Sequence, residues 1–106
     1  MADQRKIQEL QILEQNLQNL LLQKQAFQLE LSETASALGE IEKSGDEIFK
    51  IIGQLMIKTD KTKTIKELKD KEKMLELRNK TIERQENSIT ERLEKLREEI
   101  MKPAKK

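Results

Sequence analysis

The chain contains no cysteine, histidine, tryptophan or tyrosine. Without cysteine there is no disulfide framework and no thiol nucleophile, and without histidine the commonest general base, the zinc-finger spacings and the usual haem ligand are gone as well. The scarcities go further, because 106 residues include one proline, three glycines and two phenylalanines as the only aromatics. So few helix breakers predict long uninterrupted helices, and so few large apolar groups exclude a thick core. No apolar run approaches ~18 residues, and the first residues, MADQRKIQEL, are polar. Neither a membrane span nor a secretory signal is expected, and the expected location is cytoplasmic. A phosphate-binding G-x-x-x-x-G-K-[ST] loop is missing too. The expectation is therefore a protein that is not an enzyme and takes no cofactor or metal.

What the chain has in abundance is charge, at 39% of residues, distributed unevenly. Residues 1–45 carry 4 basic and 7 acidic side chains, net −3, whereas residues 46–106 carry 17 and 13, net +4. Opposite signs suit two halves that lie together. Runs such as KTDKTKTIKELKDKEK read as solvated helix faces, since acids interrupt the lysines throughout. A nucleic-acid footprint would be more purely basic and would carry stacking aromatics, so no nucleic-acid partner is expected. An RNA-gripping arm would instead reveal itself by steeply salt-dependent binding.

From Leu10 the spacing alternates three and four through Leu10, Leu13, Leu17, Leu20, Lys24, Phe27, Leu31, Thr34, Leu38 and Ile41. Eight of these ten positions are apolar, the a/d pattern of a coiled-coil helix, predicted over residues 5–44. Gln4, Gln11, Gln18 and Gln25 share one heptad position beside the seam, with Gln8 and Gln15 opposite it, and make the outer face polar without adding charge. Gly45 is expected to end the helix in the left-handed conformation. A second helix is predicted over residues 60–101, begun by Asp60 or by a capping box at Thr64 and Glu67, and followed by a tail at 102–106 that contains Pro103. Its d positions, Leu68, Leu75, Ile82, Ile89 and Leu96, are all apolar, and its a positions include Glu72, Asn79 and Glu86. Polar seam layers ordinarily specify register at some loss of stability. Folded antiparallel, the helices can pair so that partner numbers sum to 106, as in Leu38 with Leu68, Leu31 with Leu75 and Leu10 with Leu96, and a shift of one heptad satisfies the same rule. Arms of roughly 55 Å follow from ~1.5 Å per residue, with both chain ends at one tip.

Between the helices, residues 47–59 read as one β-hairpin. Ile48, Phe49, Ile51 and Ile52 precede Gly53 and Gln54, and Leu55, Met56 and Ile57 follow. Glycine first in a two-residue loop is the type II′ signature, which pairs Ile52 with Leu55, Ile51 with Met56 and Ile48 with Thr59. Neither face of such a hairpin is polar, and a lone hairpin with open edges is marginal in water. The expected solution is to share it between subunits. A second unusual place is the tip, where Ile7, Ile12 and Met101 lie off the seam beside Leu10, Leu13, Leu93, Leu96 and Ile100. Together they form a candidate apolar binding patch with a flexible methionine.

Helix, hairpin, helix, with QKQ at 23–25, GQLMIKTDK at 53–61 and KELKDKEKMLELRNKTIERQE at 66–86, resembles the prefoldin family, and within it the β type of subunit in its archaeal form. The resemblance covers nearly the whole chain as a single prefoldin-like domain, and one hairpin fits the β type where the α type carries two. It implies a mainly α fold, a long antiparallel coiled-coil hairpin whose β-hairpin joins others in a β-barrel platform. It also implies a hexamer of two α and four β subunits that binds non-native polypeptides at its tips without ATP and passes them to a group II chaperonin. On that likeness the platform falls to Ile48, Phe49, Ile51, Ile52, Gly53, Leu55, Met56 and Ile57. Client contact falls to Ile7, Leu10, Ile12, Leu13, Leu93, Leu96, Ile100 and Met101. Lys102, Lys105 and Lys106 are candidates for chaperonin contact. The chief competing expectation is a self-assembling scaffold or tether that holds no client.

Overall fold

The computed structural model of the protein describes residues 4–102. Pro103, Lys105 and Lys106 lie outside the described residues. The elements run α1 (Gln4–Lys43), β1 (Ile48–Ile52), β2 (Leu55–Thr59) and α2 (Lys61–Met101). The two helices and single hairpin expected from the heptads and the turn are thus present, with helix ends within a residue of the expected bounds.

Every a and d position from Leu10 to Ile41 in α1 and from Ile65 to Ile100 in α2 is buried or half-buried. Leu75 is the most enclosed, at 1% exposure, and Leu38, Ile82, Leu93 and Leu96 are also buried. These layers belong to two compact units, one holding α1 up to Ala26 with α2 from Asn79, the other holding Phe27–Arg78.

In the first unit Glu9 accepts from both Nε and Nη2 of Arg92, and Arg97 Nη2 lies 3.2 Å from Glu14 Oε2. Glu9 and Arg92 both precede an a position (g to g), whereas Glu14 and Arg97 both follow a d position (e to e). Pairing of g with g and e with e is what antiparallel helices require. Lys6 Nζ lies 3.5 Å from Glu99 Oε2 in the same unit. In the second unit the g positions Glu30 and Lys71 pair at 3.2 Å, and the Arg78 guanidinium sits 5.6 Å from the Phe27 ring centre. Exposed pairs of this kind contribute only ~0–1 kcal/mol each. Their effect is on register, since a slip of one heptad would break the Glu9–Arg92 and Glu14–Arg97 pairs and set Glu9 against Gln85 or Glu99. All of them fall within five of the partner sum of 106 set by the apolar layers.

The polar seam residues are accommodated individually. Thr34 is buried, and its hydroxyl donates to the Glu30 carbonyl at 2.8 Å, one turn back in its own helix. Lys24 Nζ reaches Glu86 Oε1 across the first unit at 3.2 Å, pairing two residues that occupy adjacent layers. Asn79 Oδ1 is buried without a protein partner.

α1 stops where expected but by another device. Gly45 does not adopt positive φ; Gly53 alone among the described glycines does so. Ser44 ends the helix instead, its amide and hydroxyl both donating to the Ile41 carbonyl at 3.1 and 2.8 Å. A serine hydroxyl that reaches back to the last turn removes the need for a left-handed glycine. Lys61 Nζ then donates to the Ser44 carbonyl at 2.8 Å, tying the start of α2 to the end of α1. Of the two starts considered for α2, Asp60 occupies the cap position, and its carbonyl accepts from the Thr64 amide at 2.9 Å. Thr64 therefore lies within the first turn, and its hydroxyl bonds that of Thr59 at 3.2 Å.

In the hairpin the pairs are Ile48 with Thr59, Phe49 with Lys58, Lys50 with Ile57, Ile51 with Met56 and Ile52 with Leu55. Gly53 has φ +60° while Gln54 keeps the negative φ of an ordinary residue, which selects II′ over I′. Replacing Gly53 by alanine puts a Cβ into that conformation and should destabilise the hairpin by about 1 kcal/mol. Faster amide exchange at Lys50 and Ile57, with exchange in α1 and α2 unchanged, is the expected readout.

Candidate interaction sites

The hairpin belongs to the second unit, and its side chains are distributed in an unusual way. Ile48 alone among its apolar residues is buried, at 8% exposure. Of the platform residues expected from the resemblance, Ile48 therefore anchors the hairpin to its own unit, and a partner finds it already covered. Phe49, Ile51, Ile52, Leu55, Met56 and Ile57 are exposed, Ile51 at 72% and Phe49 at 54%. Alternation along the strands puts Ile51 and Met56 on one face and Ile52, Leu55 and Ile57 on the other, so both faces offer apolar surface. Ion pairs flank it without covering it: Lys58 with Glu47 at 3.6 Å and Lys50 with Glu67 at 3.9 Å, all four largely solvated. An open cleft of about 420 Å³ lies where the hairpin meets the end of α1, lined by Ile41, Ile48, Phe49, Ile51 and Met56 together with Glu40 and Glu47. Chemically this is a surface for burying partner side chains and for adding strands to two free edges.

The second place lies in the first unit, at its chain-terminal end. Ile12 and Met101 are exposed there, Met101 at 81%. Ile7, Leu10, Leu13 and Ile100 are half-buried. Leu93 and Leu96 are buried at 2% and 5%, because as a and d residues they fill the seam. The heptad count assigned both to a contact surface, but in the paired state they present none. Lys102 is exposed, and its amide continues the α2 bonding to the Glu98 carbonyl at 2.9 Å. Sequence reasoning missed the exposed apolar residues farther along the helices, Leu22 in the first unit and Leu29, Met74 and Leu77 in the second. Their signal was available as leucine or methionine at outward heptad positions.

Among the described residues no helix is long and apolar enough to cross a membrane, and no group of three acidic side chains is placed to hold a metal ion.

A family model described as "Prefoldin subunit" matches residues 4–106. The prefoldin subunit beta of Thermococcus onnurineus is 47% identical over 89 residues, covering 82% of this chain and 77% of its own. That of Pyrobaculum islandicum is 44% identical over 88 residues, covering 81% and 70%. Among solved structures, the prefoldin beta subunit from Thermococcus strain KS-1 superposes with a TM-score of 0.83 at 38% identity, over 98% of this chain and all of the other. The beta2 subunit of the same strain reaches 0.71 at 22% identity over 82% of this chain and 95% of its own, a likeness of fold.

Proposed function

Given that the chain belongs to the prefoldin family, we propose that it serves as one arm of a chaperone that holds non-native polypeptides without nucleotide and delivers them to a group II chaperonin. Four such chains join two α-type subunits through their hairpins, which close into a shared β platform. The observation that carries this reading is the hairpin itself, apolar on both faces with only Ile48 buried among its large side chains. A protein that stayed alone would leave this surface wet; strands from neighbours remove both the apolar area and the open edges from water.

Client binding by this reading is weak at each arm and strong in sum. Ile12 and Met101 are single exposed side chains, flanked by half-buried Ile7, Leu10, Leu13 and Ile100. At ~25 cal/mol per Å² such a patch contributes a few kcal/mol before the losses of association, so one arm holds a client briefly. Several arms on one platform raise the effective concentration of the second and third contacts, giving avidity together with release. Leu93 and Leu96 join the contact surface only when the end of the seam opens.

The test is co-expression with an α-type subunit, mass measurement of the purified complex, and light scattering of a diluted denatured client without nucleotide. A six-subunit mass and suppressed scattering are expected. A monomer indifferent to both partner and client contradicts the reading. Replacing Ile12 and Met101 by serine should leave the mass unchanged while suppression falls severalfold; unchanged suppression would favour a tether that holds no client.

A further inference from the structure

In the first unit α1 and α2 border a groove of about 460 Å³ whose walls carry Asn16, Asn19 and Gln23 on one side and Gln85 and Ser88 on the other. Its floor is Leu20 and Ile89. No charged side chain lines it, although 39% of the chain is charged. The neutrality is local and two-sided. Between Gln15 and Leu29 the only charge on α1 is Lys24, which is engaged with Glu86. On α2, the stretch Gln85 to Thr90 likewise contains only Glu86. Asn16 and Gln85 are, moreover, opposed g positions, and the neighbouring opposed pair in the same unit is Glu9 with Arg92. Amides stand here where the neighbouring layer on the same side of the seam carries an ion pair.

We propose that this groove is a subsite for an extended segment of non-native polypeptide, read through its main chain. The inference rests on the chaperone reading above and adds a binding place to it. An unfolded segment exposes backbone N–H and C=O groups in equal number, with no net charge. Carboxamides both donate and accept, so asparagine and glutamine meet either group, which lysine and glutamate do not. Bringing neutral amides out of water is also far less unfavourable than bringing out ions. The apolar floor takes side chains of any small hydrophobic kind. From Asn16 to Gln23 the helix rises ~10 Å at ~1.5 Å per residue, the length of about three residues of extended chain. The seven residues that line the groove fall well short of the ~20–30 a side of a stable interface, which favours a transient polypeptide over a second folded copy.

The probe is a neutral, capped, fluorescent octapeptide of alternating alanine and valine, compared with the same peptide N-methylated at alternate residues. Anisotropy is measured with the full chain in its native assembly. Methylation should weaken binding about fivefold or more, since N–H donors are lost while the side chains are retained. Asn19→Ala with Gln85→Ala should weaken binding of the unmethylated peptide to a similar extent. Both positions are exposed, and alanine favours helix, so circular dichroism should be unchanged. Raising salt from about 50 to about 500 mM should change the affinity less than about twofold, as expected for a site without charge. Equal affinity for the two peptides, indifference to the alanines, or a change of oligomer mass caused by them would each overturn the inference. Wild-type chaperone activity is assayed in parallel. Intact suppression with failed peptide results removes the groove alone, whereas failed suppression removes the chaperone reading itself.

Discussion

Replacing Ile51 and Met56 by lysine is expected to abolish assembly with an α-type subunit while the helical circular dichroism stays within a few per cent of wild type. The two residues are directly paired across the hairpin, and both are exposed in the single chain. Two consequences follow from that geometry. In the isolated chain the lysines remain in water, at the loss of one apolar cross-strand contact and the gain of one like-charge opposition, an effect of less than about 1 kcal/mol. In an assembled sheet the same lysines must be buried without partners, which is unfavourable by several kcal/mol per ion. The difference raises the dissociation constant on the order of a thousandfold or more. The helices are unaffected because their stability comes from the seam, whose a and d residues are buried or half-buried within the chain. Native mass measurement decides the matter: oligomers of wild-type mass would show that these faces are not the ones shared.

The second large effect concerns the seam. Leu75→Ala removes the most enclosed side chain of the described residues, at a d position of the second unit. A two-helix layer has few neighbours with which to refill the space, so a loss of about 3 kcal/mol is expected. For a chain of this size the melting midpoint should fall on the order of 10–20 °C. Met74→Ala, one residue earlier at a half-exposed outward position, should change stability by less than about 0.5 kcal/mol. Thermal denaturation followed by helical circular dichroism separates them, and equal effects would show that the heptad phase of α2 is misplaced.

The elements that local chemistry fixes were legible in the residues alone. A Gly-Gln loop admits one hairpin register, and all five pairs follow it. Leucines spaced three and four apart can face only one partner, and those positions form the seam. Where several solutions share one pattern, the residues did not discriminate. Ser44 and Gly45 are both competent helix terminators, and the serine does the work. Lys24 on α1 and Glu86, the last of three successive polar a positions on α2, reveal their pairing only once the helices are aligned, because they sit in neighbouring layers. The apolar terminal cluster was visible as composition, but burial divides it. Leu93 and Leu96 lie on the inner side of α2 and Met101 on the outer, a distinction of helical phase. The amide-walled groove needed both helices, since the neutral stretches of α1 and α2 lie some sixty residues apart in sequence and become one site only by pairing.

A seam only two helices wide has the mechanics of a zipper. Within the first unit each layer leans on the next, so a side chain that fills the seam stays dry only while its layer is paired. Leu93 and Leu96, buried there at 2% and 5%, offer apolar surface only where that part of the seam separates. Loss of pairing in that unit would thus bare leucine side chains that the folded state keeps from water.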